Sequence, residues 1–81
     1  MSSEQGLATS QGNLGIMYEE GFGVLQNYKE AFRLYKLAAD QGDVNAQNRL
    51  GHLYTFGKGI GQDYKEAFWY FSLAAGQGNP F

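Results

Sequence analysis

A chain of 81 residues with net charge −2 has room for one small domain, and its six Lys and Arg form no clustered basic face for nucleic acid or an anionic membrane. Cys is absent, which excludes a disulfide framework and a thiolate metal site; six Tyr, six Phe and Trp69 are left to build the core by packing alone. Met1-Ser2-Ser3-Glu4-Gln5 has neither the basic start nor the apolar run of a signal peptide, and no apolar stretch reaches the ~18–20 residues that span a bilayer. The expectation is a cytoplasmic protein without membrane insertion.

Residues 1–6 read as a leader, although Gln5-Gly6 recurs as Gln41-Gly42 and Gln77-Gly78 and so resembles the tail of a repeat. The first helix is predicted from Leu7 to Glu20, because Gln11, Leu14, Gly15 and Tyr18 fall at i, i+3, i+4 and i+7. Gly21 supplies a left-handed stop, and a loop runs to Gln26. Asn27 then caps the second helix, with Glu30 placed to reach back in a capping box. That helix continues to Asp40 and ends by Gly42. Asp43 caps a third helix over Val44–Phe56, which Gly57 stops. Asp63 and Glu66 repeat the cap for a fourth, ending at Gly76 or Gly78, and Pro80 blocks a simple extension.

The last two helices restate the first two. Sliding residues 4–45 onto 40–81 without a gap gives 19 identical pairs out of 42, too many for chance and enough to define an architecture. The predicted fold is all-α: a right-handed α/α superhelix of four helices in two antiparallel pairs. It is a single domain over 1–81, with repeats at 7–42 and 43–78 and a tail at 79–81.

The two copies separate scaffold from surface. On the first helix the unchanged positions 11, 14, 15 and 18 share one side. Opposite them the copies differ: Thr9/Asn45, Asn13/Arg49, Ile16/His52 and Glu20/Phe56. Gly15 and Gly51 sit mid-helix, where Gly costs about 1 kcal/mol against Ala, which suggests that a neighbouring helix backbone comes close. Ala31, Ala38, Ala39 and their counterparts Ala67, Ala74, Ala75 are the small surfaces expected there.

Leu14, Gly15, Tyr18, Gly21, Gly23, Val24, Ala31, Tyr35, Ala38, Ala39 and Gly42, with Leu50, Gly51, Tyr54, Gly57, Gly59, Ile60, Asp63, Ala67, Ala74, Ala75 and Gly78, resemble the pattern of the Sel-one-like repeats. That α/α class is related to the tetratricopeptide repeats, and the resemblance covers about residues 4–79. It implies a superhelical scaffold that holds proteins together. Some Cys-rich relatives are linked to penicillin binding or hydrolysis; without Cys this chain does not carry their disulfide pattern.

No other constellation competes. Gly57-Lys58-Gly59-Ile60-Gly61 lacks the Gly-Lys-Ser/Thr end of a phosphate loop and follows a helix. His52, the single His, has Arg49 and Phe56 as helical neighbours, and these are not metal ligands. Glu19 and Glu20 point about 100° apart and read as a solvated helix end. Trp69 reads as an inter-repeat core residue or an exposed anchor. The chain is therefore expected to need no cofactor or metal, to be no enzyme, and to present Asn13, Ile16, Glu20, Arg49, His52 and Phe56 on a concave face to a protein or peptide. The alternative is a structural piece of a longer repeat scaffold. The last helix leaves Phe68, Tyr70 and Leu73 partly uncovered, so homodimerisation through the terminal repeat faces is also expected.

Overall fold

Asn27, Asp43 and Asp63 each stand just before a helix and each uses its side chain as the first acceptor. Asn27 Oδ1 accepts from the Glu30 amide at 3.1 Å, Asp43 Oδ2 from Ala46 at 2.9 Å, and Asp63 Oδ1 from Lys65 and Glu66 at 3.0 and 3.2 Å. The computed structural model describes the backbone of residues 3–78 and the side chains of 7–76. Among these residues are four helices and no strand: α1 (Ser3–Glu20), α2 (Tyr28–Asp40), α3 (Val44–Phe56) and α4 (Tyr64–Gly78). Pro80 and the 79–81 tail lie outside the described residues.

The helix ends follow the glycines. Gly21 and Gly57 take φ of 76° and 67° and donate to the Met17 and Leu53 carbonyls, closing α1 and α3 in the left-handed conformation that suits Gly. One boundary differs from expectation. α1 runs back to Ser3, so Gln5-Gly6 is helical although its counterpart Gln41-Gly42 turns. The Gln41-Gly42 turn depends on α2 ahead of it, whose Ala38 and Ala39 carbonyls accept from Gln41, Gly42 and Asp43. Local residues alone do not specify it.

The capping box does not form at Asn27 or Asp63. Asn27 N–H donates to the Tyr18 carbonyl at 2.8 Å and Asp63 N–H to the Tyr54 carbonyl at 3.0 Å, so the donor that a reaching Glu would need is already taken. Glu30 pairs instead with Arg33 one turn on, and that hydrogen bond holds the exposed Glu30 carboxyl below its usual range. Each loop is also tied by a glutamine. Gln26 Nε2 donates to the Glu19 carbonyl at 2.7 Å, and Gln62 Nε2 to the Thr55 carbonyl at 2.8 Å.

α1 packs on α2 and α3 on α4, and a smaller α2–α3 contact joins the pairs into a slab of 39 × 32 × 14 Å. Tyr35, Leu50 and Leu53 are its largest fully buried side chains, set among Ala31, Ala38 and Ala46. Burying each Leu is worth roughly 1.5–3 kcal/mol. The mid-helix glycines answer to rings rather than to a helix backbone: a Cβ on Gly15 would lie 2.7 Å from the Tyr35 ring, and one on Gly51 2.6 Å from the Phe71 ring. An aromatic ring on the second helix of each pair fills the space beside the bare Cα of the first. Trp69 is 56% exposed, at the place where the first repeat carries exposed Arg33. It is not part of the core between the two described repeats.

Candidate functional site: the groove between α1 and α3

The first helices of the two pairs enclose a groove of about 570 Å³. Asn13 and Ile16 line it from α1, and Asn45, Asn48, Arg49 and His52 from α3. Tyr35 of α2 closes its floor, in the space left by Gly15. Asp43 stands at one end, with Oδ2 already engaged by the Ala46 amide.

A polar triangle beside the floor holds the two repeats in register. Tyr35 Oη donates to Glu19 Oε1 at 2.7 Å, and Arg49 Nη1 lies 3.7 Å from the same oxygen. The Glu19 side chain is only 11% exposed, so it is a part-buried acceptor between helices and not the solvated helix end its sequence suggests. Burial, then the hydrogen bond to Glu19, pushes the Tyr35 phenol far above the ordinary tyrosine value, so it stays a donor. Arg49 remains part-exposed at the groove, with one face committed to Glu19 and the rest available.

Four of the six predicted face residues, Asn13, Ile16, Arg49 and His52, meet in this groove. Glu20 and Phe56 do not line it. Glu20 is exposed at the last position of α1. Phe56 stacks on His52 with ring centroids 6.3 Å apart and planes parallel, and Lys58 Nζ stands 5.7 Å from its ring. His52 also meets Phe71 edge-on at 5.4 Å, so its ring neighbours are aromatic carbons. Among the described residues, no group of three or more His, Asp or Glu is placed to hold a metal ion.

Sequence comparison of the copies missed Asn48 and Tyr35. Asn48 carried a signal, since it replaces Gly12 one turn earlier than His52. Tyr35 is a core residue whose hydroxyl alone reaches the site. Its counterpart Phe71 lacks that oxygen, and the counterpart of Glu19 is Thr55, whose hydroxyl donates to its own helix at the Gly51 carbonyl, 2.8 Å away. Acceptor and donor vanish together in the second copy.

Comparison with known proteins agrees with this geometry. The family model of the Sel1 repeat matches twice, over residues 8–43 and 44–79, one residue later than the repeat bounds read from the sequence. A Sel1 repeat protein from Oxalobacter formigenes superposes with a TM-score of 0.88 at 34% identity, over 98% of this chain and 32% of that one. The protein c5321, a protective antigen present in uropathogenic Escherichia coli strains and displaying an SLR fold, gives 0.87 at 43% identity, over 91% of this chain and 16% of that one. No curated protein matches the sequence. This chain thus spans a third or less of the length of those solved structures. Both Sel1 matches fall on the helix pairs just described, and the chain belongs to the Sel1 repeat family, an all-α repeat solenoid class whose members generally act as scaffolds for protein interaction.

Proposed function

We propose that the α1–α3 groove holds an extended peptide segment of a protein partner. The observation that carries this reading is the lining itself. Three carboxamides, Asn13, Asn45 and Asn48, each offer a donor and an acceptor to the unpaired N–H and C=O groups of an extended chain. Arg49 supplies a charge and Ile16 an apolar contact, with His52 and Phe56 as an aromatic rim. Chemistry is not needed for such a role, and the chain is read as a binding module without catalysis or cofactor.

A selection from a random peptide library on the wild-type chain tests the reading. Binders are expected to lose at least about tenfold in affinity, or about 1.4 kcal/mol, on Asn13→Ala or Arg49→Ala, while the circular dichroism of each variant stays that of wild type. Binders that ignore both changes would falsify the groove as the site.

The share of its relatives that this chain spans supports a second reading, in which the two repeats serve as a spacer within a longer repeat scaffold. It predicts that no selected peptide maps to the groove.

A further inference from the structure

Three of the contacts at the α2–α3 junction bear on how the ends of the molecule are built. Phe32 stands edge-on to Tyr54 with ring centroids 5.8 Å apart. Gly59 lies so close to the start of α2 that a Cβ there would sit 2.6 Å from the Tyr28 Cβ. Gln47 Nε2 donates to the Ala39 carbonyl at 3.2 Å. Around them Leu50 and Leu53 are wholly buried.

Each partner in these contacts recurs unchanged 36 residues away. Tyr18, Gly23 and Gln11 repeat Tyr54, Gly59 and Gln47, the α3 half of the junction. Phe68, Tyr64 and Ala75 repeat Phe32, Tyr28 and Ala39, the α2 half. In the second set Phe68 is 73% and Tyr64 67% exposed, and Ala75 is open where Ala39 is buried. In the first, a Cβ on Gly23 would meet only the Met17 Cε, 3.8 Å away. Leu14 and Met17, in the places of Leu50 and Leu53, are 39% and 36% exposed. The molecule therefore displays, at opposite ends, the two halves of an interface it also contains in assembled form. α4 has moreover exchanged Arg33, Lys36 and Asp40 of α2 for Trp69, Ser72 and Gly76, which leaves fewer charges to desolvate.

We propose that a second copy of this chain docks head-to-tail, the α4 face of one copy on the α1 face of the next. Phe68 of one copy meets Tyr18 of the other edge-on, and Tyr64 seats on Gly23. Gln11, whose Oε1 already accepts from Gln41 Nε2 at 2.7 Å, donates its amide N–H to the Ala75 carbonyl. Because the joined faces differ, the contact is heterologous and leaves one open face at each end, so assembly extends in a line.

Sedimentation velocity over micromolar to millimolar concentrations tests this with two variants. Phe68→Glu blocks the α4 face at an exposed position, and Leu14→Lys blocks the α1 face; Met17→Lys takes its place if circular dichroism shows Leu14→Lys unfolded. Wild type is expected to grow past two chain masses as concentration rises. Each variant alone is expected to stay at one chain mass, and their equimolar mixture to stop at two. Arg49→Ala, which alters the groove, should assemble as wild type does, so failure of the peptide reading and failure of this one are distinguishable. A wild type that remains a monomer throughout overturns the proposal, as does either blocked variant that still pairs with itself, which would mean a symmetric contact.

Discussion

Leu14 and Leu50 hold the same place in their repeats, yet one is 39% exposed and the other has no exposed surface. Gly23 and Gly59 differ in the same way: both take left-handed φ of 75° and 78°, but only Gly59 is pressed by a neighbour, Tyr28. The residues are identical, so the difference lies in what stands beside them. The second repeat has α2 on its inner side, and the first has no described helix there. Burial in a solenoid belongs to the junction rather than to the residue. On the groove side the copies differ in their residues as well, and the changes come in matched sets, as Tyr35 with Glu19 against Phe71 with Thr55 shows.

Paired substitutions sharpen this comparison, with each pair measured at a concentration where the chain is monomeric, since association adds apparent stability. Leu50→Ala should cost about 3–5 kcal/mol by chemical denaturation, the range for a fully buried leucine, and Leu14→Ala about 1–2. Equal costs would mean that the α2–α3 junction contributes little. Gly59→Ala and Gly23→Ala both force Ala into the left-handed region, at about 1–2 kcal/mol. Gly59→Ala must also displace the start of α2, for about 1–3 kcal/mol more. If the two alanine variants melt together, the Tyr28 contact is not a stabilising seat.

A further effect of modest size is the most specific. The Tyr35 phenol titrates far above 10.0 in the folded chain because it is buried and hydrogen-bonded. Above pH ~10 the unfolded chain releases this proton while the folded chain keeps it. The folded state then binds more protons, so stability falls as pH rises, by about 1.4 kcal/mol per pH unit for this group. Tyr35→Phe, which copies the second repeat, should cost about 1–2 kcal/mol at neutral pH and flatten the alkaline limb by one proton. An unchanged slope in the variant would place the alkaline loss elsewhere.

Most of the scaffold was legible because the chain states it twice. The caps at Asn27, Asp43 and Asp63, the stops at Gly21 and Gly57 and the helix order all follow from local residue chemistry. What escaped depends on contacts between distant segments. Glu19 and Arg49 meet across 30 positions and Tyr35 joins them from a third helix, so no single-helix periodicity reveals the triangle. The idle capping boxes have the same origin: a carbonyl on the helix before each cap takes the donor that the box would need. Four of six face residues converge because 3.6-residue periodicity carries them to one side. Glu20 and Phe56 are the last residues of α1 and α3, past the residues that line the groove.

The loops after α1 and α3 hold their shape through the left-handed glycines, the Gln26 and Gln62 amides, and main-chain bonds to the tyrosine carbonyls of the helix before. None of those ties uses the side chains at 22 or 25, and the two copies differ there in kind: Phe22 against Lys58, and Leu25 against Gly61. Such a loop is a permissive site for divergence. A repeat can acquire a charge, a ring or a short grafted sequence at its rim while the angle between its helices stays as it was, which makes the rim the cheapest place for this architecture to change its surface.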